Sequence, residues 1–154
     1  MSNTIKQQAS TLIEILIAVS IIALVLTSVS AMITMSIKLA GSNEQQQLAL
    51  QKAQEAMEFF RRERSINSWY SFSTPLNDES LYCISTLPES IASISAQLGA
   101  CGDTDVLEAA KYQFQREATI QFNNTSNIRV GIDVSWRDGN KNKNLFIEQN
   151  FENF

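Results

Sequence analysis

The chain has 154 residues, with 12 lysine and arginine residues against 16 aspartate and glutamate residues, so its formal net charge is −4. This length supports one small domain, and the acidic balance gives no broad electrostatic surface for nucleic-acid phosphates. The chain contains no histidine, the commonest general base and metal ligand. These features argue against an enzyme, a metalloprotein and a nucleic-acid-binding protein.

The first predicted element is an apolar helix from Ser10 to Ile37. No charged residue occurs from Ile15 to Ile37, and at about 1.5 Å per residue this stretch covers the roughly 30 Å hydrocarbon core of a bilayer. A single segment in lipid must satisfy its own backbone hydrogen bonds, which predicts a helix. One carboxylate, Glu14, lies at its start. An ionisable side chain in an apolar helix is costly, so it usually has a partner or a function.

The six residues from Ala9 to Glu14, ASTLIE, and the apolar run ILIAVSIIALV that follows resemble the N-terminal region of type IV pilin-like proteins. In that family a prepilin peptidase cuts before the hydrophobic helix and methylates the new N-terminus. The resemblance implies that residues 1–9 are a leader, that the cut follows Ala9, and that Ser10 becomes the first mature residue. Ala9 stands where glycine is usual, and Ser10 where phenylalanine is usual.

The resemblance also implies a role for Glu14 in subunit assembly. In the family this carboxylate pairs with the α-amine of a neighbouring subunit. Pairing satisfies two charges that would be costly apart in an apolar bundle, and it fixes the register between subunits. Without the family pattern, Glu14 would be the solvated end of a plain membrane anchor.

A cleaved secretory signal is a second interpretation of the N-terminal region. Lys6 would be its basic region, the apolar run its hydrophobic region, and Val29-Ser30-Ala31 its cleavage site. However, such a hydrophobic region usually has 7–15 residues and no acid. Here Glu14 lies at the entrance, and the apolar run continues past Ala31. We therefore expect residues 10–40 to remain as a transmembrane or filament-core helix.

Residues 41–69 are predicted to continue this helix in amphipathic form. Its apolar residues fall at helical spacing, at Leu50, Ala53, Met57 and Phe60. No proline interrupts residues 10–64, so the two stretches form one long helix with a soft point at Gly41.

A basic cluster, Arg61, Arg62 and Arg64, lies near the end of this helix. The neighbouring glutamates Glu58 and Glu63 indicate a solvated face with intrahelical pairs. Nucleic acid is therefore not expected as a direct partner.

Residues 70–154 are predicted to form a loop-rich region followed by an antiparallel sheet. Period-two alternation predicts strands over Tyr112–Phe122 and Val130–Trp136, and a shorter third strand over Leu145–Phe151. The turns between them are Asn123–Asn127 and Arg137–Asn144. The predicted fold is α+β and type IV pilin-like: a long N-terminal transmembrane α-helix packed on a small antiparallel β-sheet.

The loop-rich region holds the two cysteines, Cys83 and Cys101. In an exported domain the oxidising compartment favours a disulfide between them, and two unpaired core thiols are the alternative. Two cysteines without histidine do not make a tetrahedral metal site, and no cofactor is predicted. Asp103 and Asp105 are expected to be solvated rather than to bind a hard cation such as calcium.

The expected function is that of a structural subunit of a type IV pilus-like filament. The departures at Ala9 and Ser10 favour a minor subunit. The expected partners are other pilin-like subunits, prepilin peptidase, the assembly machinery and the membrane. Before assembly the chain would span the cytoplasmic membrane once, and in the filament its globular domain would lie in the periplasm or outside the cell.

Two alternatives remain open from the sequence. One is a pseudopilin of a type II secretion system or of DNA-uptake machinery. The other, from a different class, is a single-span or secreted adhesin or binding domain.

Overall fold

The computed structural model describes the backbone of residues 2–153 and the side chains of residues 13–153, and the chain forms two compact units, Met1–Ser42 and Asn43–Phe154. The helix α1 (Ser2–Ile66) contributes to both units, and the side chains described in it begin at Ile13. It runs through Gly41 without a break, as predicted.

The second unit contains two short helices and five strands. A short helix α2 (Trp69–Ser73) follows α1, and a 3₁₀ helix (Ile91–Gln97) follows the first strand. The strands are β1 (Ser80–Cys83), β2 (Leu107–Ala109), β3 (Tyr112–Asn124), β4 (Asn127–Asp138) and β5 (Lys141–Glu152).

All strand pairs are antiparallel, and the order across the sheet is β1-β3-β4-β5. The short strand β2 also pairs with β3. The three long strands form the predicted meander. A two-residue turn joins β4 to β5, and Gly139 begins it with a φ of +61°, a conformation that glycine adopts without a steric penalty.

One face of the sheet packs on α1, and this confirms the predicted α+β arrangement. Alternate residues of the long strands point into the core, for example Ile120, Val130 and Ile132. From α1 the core receives Met57 and Phe60, together with three fully buried alanines, Ala49, Ala53 and Ala56.

The inward face of α1 differs in one position from the prediction. Leu50 is 40% exposed, whereas Ala49 and Ala53 on the neighbouring positions are fully buried. The side chain of alanine has no heavy atom beyond Cβ. Alanines at these positions therefore let the helix backbone approach the sheet closely. The larger Leu50 therefore lies at the margin of the helix–sheet contact.

The third long strand also differs from the prediction. β5 has 12 residues, as many as β4, and it begins inside the region Arg137–Asn144 that was predicted to be a turn. The other predicted turn, Asn123–Asn127, is reduced to the two residues between β3 and β4. β5 is an edge strand with polar residues at its start, and such residues resemble a loop in sequence.

Candidate assembly site

The apolar segment of α1 presents its hydrophobic side chains to the surroundings. None of its most apolar window is buried, and it is the one helix among the described residues that is long and apolar enough to cross a membrane. Large side chains such as Leu16, Leu24 and Met35 are exposed around the whole helix. A helix that is apolar all round requires lipid or other apolar helices around it.

Six hydroxyl side chains occur within residues 13–37 of this segment, and each donates a hydrogen bond to a backbone carbonyl one turn earlier. The donor–acceptor distances are 2.7–2.9 Å, as in the bond from Ser20 to the Leu16 oxygen. The donors are Ser20, Thr27, Ser28, Ser30, Thr34 and Ser36. These hydroxyls therefore place no unsatisfied donor in an apolar environment.

Glu14 lies at the start of the described part of this segment. Its side chain is exposed, and within residues 13–153 it makes no hydrogen bond or ion pair. A carboxylate next to 23 uncharged positions needs either water at the membrane surface or a cation from another molecule. The side chains of the predicted processing residues, Ala9 and Ser10, lie outside the described ones.

The structure joins Cys83 of β1 to Cys101 in a disulfide with an S–S distance of 2.06 Å. The bridge closes a loop that contains the 3₁₀ helix. The backbone N–H of Cys101 donates to Glu117 Oε1 at 2.8 Å, and Glu117 is also the strand partner of Cys83. The bridge and this carboxylate together attach the loop to β3.

The arginine cluster near the end of α1 has intramolecular partners. Arg61 pairs with Glu58 and donates to Gln149 Oε1 at 2.6 Å. Arg64 donates to the Glu152 carbonyl oxygen at 2.9 Å and lies over the Trp69 ring.

Arg62, the third member, contacts Glu63 at 3.3 Å, and its guanidinium lies 5.5 Å from the centre of the Phe59 ring. Arg61 and Arg64 connect the end of α1 to β5, whereas both of these partners of Arg62 lie in α1 itself. The solvated face predicted for them is therefore partly a tertiary contact with β5.

Asp103 and Asp105 lie in the loop after Cys101, and Asp105 accepts a hydrogen bond from the backbone N–H of Gly102 at 2.8 Å. Among the described residues, no group of three or more cysteines, aspartates and glutamates is arranged to hold a metal ion.

A buried cation, Arg116 of β3, was not identified from the sequence. It is 1% exposed, and its guanidinium donates to the carbonyl oxygens of Ile84 and Lys52, each at 2.9 Å. Burial lowers the pKa of Arg116, and the negative charge of Glu55, 3.6 Å away, partly offsets this. The sequence did indicate that Arg116 is buried, because it occupies one of the alternate positions of β3 whose side chains point into the core.

The prediction that Glu63 lies on a solvated face is wrong, because this carboxylate is buried and only 2% exposed. Its Oε2 accepts the backbone N–H of Ile91 at 2.8 Å, at the start of the 3₁₀ helix. The charge of Glu63 is therefore used within the fold, where it connects the end of α1 to the disulfide loop.

The chain was compared with protein-family models, curated proteins and solved structures. Residues 5–30 match the family model described as the prokaryotic N-terminal methylation motif, a match that includes Glu14. Neither the curated proteins nor the solved structures gave a match.

The family match confirms the resemblance stated from the N-terminal residues, and it is consistent with a type IV pilin-like protein. The motif supports a subunit of the pilin or pseudopilin type, and with the fold it points to a structural role rather than an enzymatic one. It implies processing by prepilin peptidase and assembly with other pilin-type subunits. The motif and the apolar helix also fit membrane anchoring before assembly.

Proposed function

We propose that this protein is a minor structural subunit of a type IV pilus-like filament and assembles through its N-terminal helix. One observation carries the proposal. A prepilin-type methylation motif over residues 5–30 contains Glu14, the only carboxylate of an otherwise uncharged and fully exposed apolar helix.

The role proposed for Glu14 follows from electrostatics in an apolar bundle. Cleavage after Ala9 creates a new α-amine at Ser10. In a filament, the α-amine of one subunit lies beside Glu14 of the next, and each charge removes the desolvation penalty of the other. Because an ion pair forms only where the two groups meet, it also selects one register between neighbouring helices.

We further propose that the cytoplasmic membrane holds the apolar segment as a single span before assembly. The domain from Asn43 to Phe154 then lies in the periplasm or outside the cell. A disulfide between Cys83 and Cys101 supports this location, because structural disulfides persist mainly in oxidising compartments.

Mass spectrometry of the mature protein tests the processing step. We expect a methylated Ser10 at the N-terminus. A mature N-terminus at Met32 would indicate a cleaved secretory signal, and an intact leader would indicate a plain anchor. As a control, Ala9→Leu places a bulky residue before the cut and should leave the leader attached.

Replacement of the acid tests the assembly step. Glu14→Gln keeps the size of the side chain but removes its charge, so incorporation into filaments should fall at least tenfold while the amount in the membrane is unchanged. Glu14→Asp retains the charge and should keep part of the incorporation into filaments. Equal incorporation of the Gln variant and the wild type would contradict the pairing role.

The filament system is tested by deletion of the gene. Loss of surface filaments is expected for a pilus subunit. Loss of protein secretion or of DNA uptake, with surface filaments intact, would assign the chain to a pseudopilin-type assembly instead.

A further inference from the structure

The two edges of the sheet are protected very differently. At the β1 edge, the backbone N–H of Gly99 donates to the Leu81 oxygen at 2.7 Å, and Tyr82 forms a bridge with Leu98. The disulfide loop thus covers β1, and β2 has only three residues. The opposite edge is β5, which is twelve residues long and has no further strand beside it among residues 2–153.

The hydrogen-bond pattern shows which backbone groups of β5 face outward. The backbone N–H of Asn153 donates to the Ser126 oxygen at 2.9 Å, so these two residues form a hydrogen-bonded pair. In an antiparallel ladder the next pair, Asn127 and Glu152, is then a non-hydrogen-bonded pair. Such pairs alternate along the strand, and their N–H and C=O groups point away from β4. The outward residues are therefore Asn142, Asn144, Phe146, Glu148, Asn150 and Glu152.

Most of these outward groups have no hydrogen-bond partner within residues 13–153. The exception is the Glu152 carbonyl oxygen, which accepts from Arg64. A long row of unpaired backbone donors and acceptors is a template for another strand. Proteins usually cover such an edge or interrupt it. Here it is neither covered nor interrupted by proline or a bulge.

A groove runs between this edge and α1, with a few apolar side chains among the glutamines and glutamates of the helix. Two cavities of about 590 and 270 Å³ meet at Leu50, which lines both. Ile147 lines the larger cavity and Leu145 the smaller one. Alternate side chains of a strand added to β5 would point into this groove, where apolar residues would contact Leu50, Leu145 and Ile147.

Close to Phe146 the other face of the same edge is aromatic and acidic, whereas Arg129 and Arg137 of β4 lie on that face nearer its two ends. The Phe146 side chain is 54% exposed and packs over Gly131, where a Cβ atom would lie 2.6 Å from its ring. Asp133 is its strand partner, and Glu148 lies two residues further along β5. Basic side chains suit this face, because a cation is attracted both to carboxylates and to an aromatic ring.

We propose that β5 is a docking edge for an extended segment of a partner polypeptide. The segment would add a sixth strand, with apolar residues towards the groove and basic residues on the face of Phe146. The site lies wholly within residues 43–154, so the docking edge itself does not depend on the function proposed above. Only the choice of a different polypeptide over a second copy rests on the proposed membrane anchoring.

A second copy of this chain is a poorer occupant. Two copies could pair their β5 strands antiparallel about a twofold axis normal to the sheet. Residues 43–66 of α1 would then run in opposite directions in the two copies. Subunits anchored in one membrane share one direction. The partner strand is therefore assigned to a different polypeptide.

The test uses two labelled peptides and the full-length protein in detergent micelles. The first, acetyl-TVKVKVKVT-amide, has valines on one face and lysines on the other. The second, acetyl-TVEVEVEVT-amide, keeps the valines and reverses the charge. We expect fluorescence anisotropy to show saturable binding of the lysine peptide at low salt, and at least tenfold weaker binding of the glutamate peptide.

Two matched variants separate strand addition from simple charge attraction. Asn144→Pro removes one outward N–H without removing a backbone hydrogen bond to β4 or changing the charge, and should weaken binding of the lysine peptide about tenfold. It also removes the side-chain bond from Asn144 to Asp133 Oδ1, at 3.1 Å, which the alanine control removes as well. Asn144→Ala keeps the N–H and should bind like the wild type. Asn150→Pro is equivalent if Asn144→Pro does not give the circular dichroism spectrum of the folded protein.

Equal binding of the lysine peptide by the wild type and the folded proline variant would overturn the proposal. Equal binding of the two peptides would overturn the stated charge preference. Sedimentation provides a third check, because a dimer of the protein that disappears in Asn144→Pro would assign the edge to a second copy.

Discussion

Arg116 of β3 donates a hydrogen bond from Nη1 to the backbone carbonyl oxygen of Lys52 in α1, at 2.9 Å. The same guanidinium donates from Nε to the Ile84 oxygen, just beyond β1. One buried side chain thus connects the helix, the central part of the sheet and the segment that leads into the disulfide loop. Hydrogen bonds to a buried cation are stronger than neutral ones, so Arg116 is an important contact in the second unit.

Arg116→Met should destabilise the protein by about 3 kcal/mol. The variant keeps much of the apolar volume but leaves the Ile84 oxygen without its buried donor. Chemical denaturation of the full-length protein in micelles measures the change. Arg137→Met, at an exposed position on β4, is the control and should change stability by less than about 0.5 kcal/mol. Equal effects of the two variants would show that Arg116 is not a structural contact.

The carboxyl of Glu55 should make a small contribution to stability that depends on pH. The hydrogen bond from Lys52 lowers the pKa of Glu55, helped by the charges of Lys52 and Arg116, while burial opposes the shift. The folded state therefore binds the proton less readily than the unfolded state. The contribution is complete above the ordinary glutamate pKa of about 4.3 and is lost as the pH falls through the lower folded-state pKa.

Glu55→Gln removes this contribution. Because the side chain is 46% exposed, the wild type should exceed the variant by no more than about 1 kcal/mol at pH 7, and by less at pH 3. Denaturation curves at the two pH values measure the difference. A constant gap between the proteins at both values would mean that the carboxylate charge is not responsible.

Loss of the disulfide should destabilise the second unit by about 3 kcal/mol, the loop-entropy estimate for a closed loop of this size. The paired replacement Cys83→Ser with Cys101→Ser avoids leaving a reactive thiol. Alkylation of the unreduced wild type should label neither cysteine. If reducing agent leaves the denaturation midpoint of the wild type unchanged, the bridge does not contribute to stability.

Gly131 and Phe146 should be coupled. In Gly131→Ala the new methyl group meets the Phe146 ring, so we expect a loss of about 1 kcal/mol. In a Phe146→Ala background the same change should stabilise the protein by about 0.5 kcal/mol, because alanine restricts the unfolded chain more than glycine. A double-mutant cycle measures the coupling. Additive effects would mean that the ring does not lie over Gly131.

The elements that the sequence predicted well have strong periodic patterns. The continuous helix, the inward residues of β3 and β4, and the order of the meander all follow from apolar spacing that the core enforces. The match over residues 5–30 likewise corresponds to the motif from Ala9 to Glu14.

The features that were missed depend on contacts between distant residues. β1 and β2 are too short to show a period, and they exist because β3 offers them an edge. Arg116 is a charged residue among the apolar inward positions of β3. Its burial is possible because carbonyl oxygens from α1 and from the segment after β1 accept its hydrogen bonds. The length of β5 was underestimated because Lys141–Asn144 are polar, whereas pairing with β4 determines where the strand begins.

The six hydroxyls that bond back to the backbone of α1 have a consequence for how the helix is handled in the cell. Neither lipid nor a neighbouring protein has to provide a hydrogen-bond partner for any of them. A move of the helix from lipid to a protein environment would therefore leave these six hydrogen bonds unchanged. On the function proposed above, Glu14 would then be the one side chain among residues 13–37 whose polar partner differs between the bilayer and the filament.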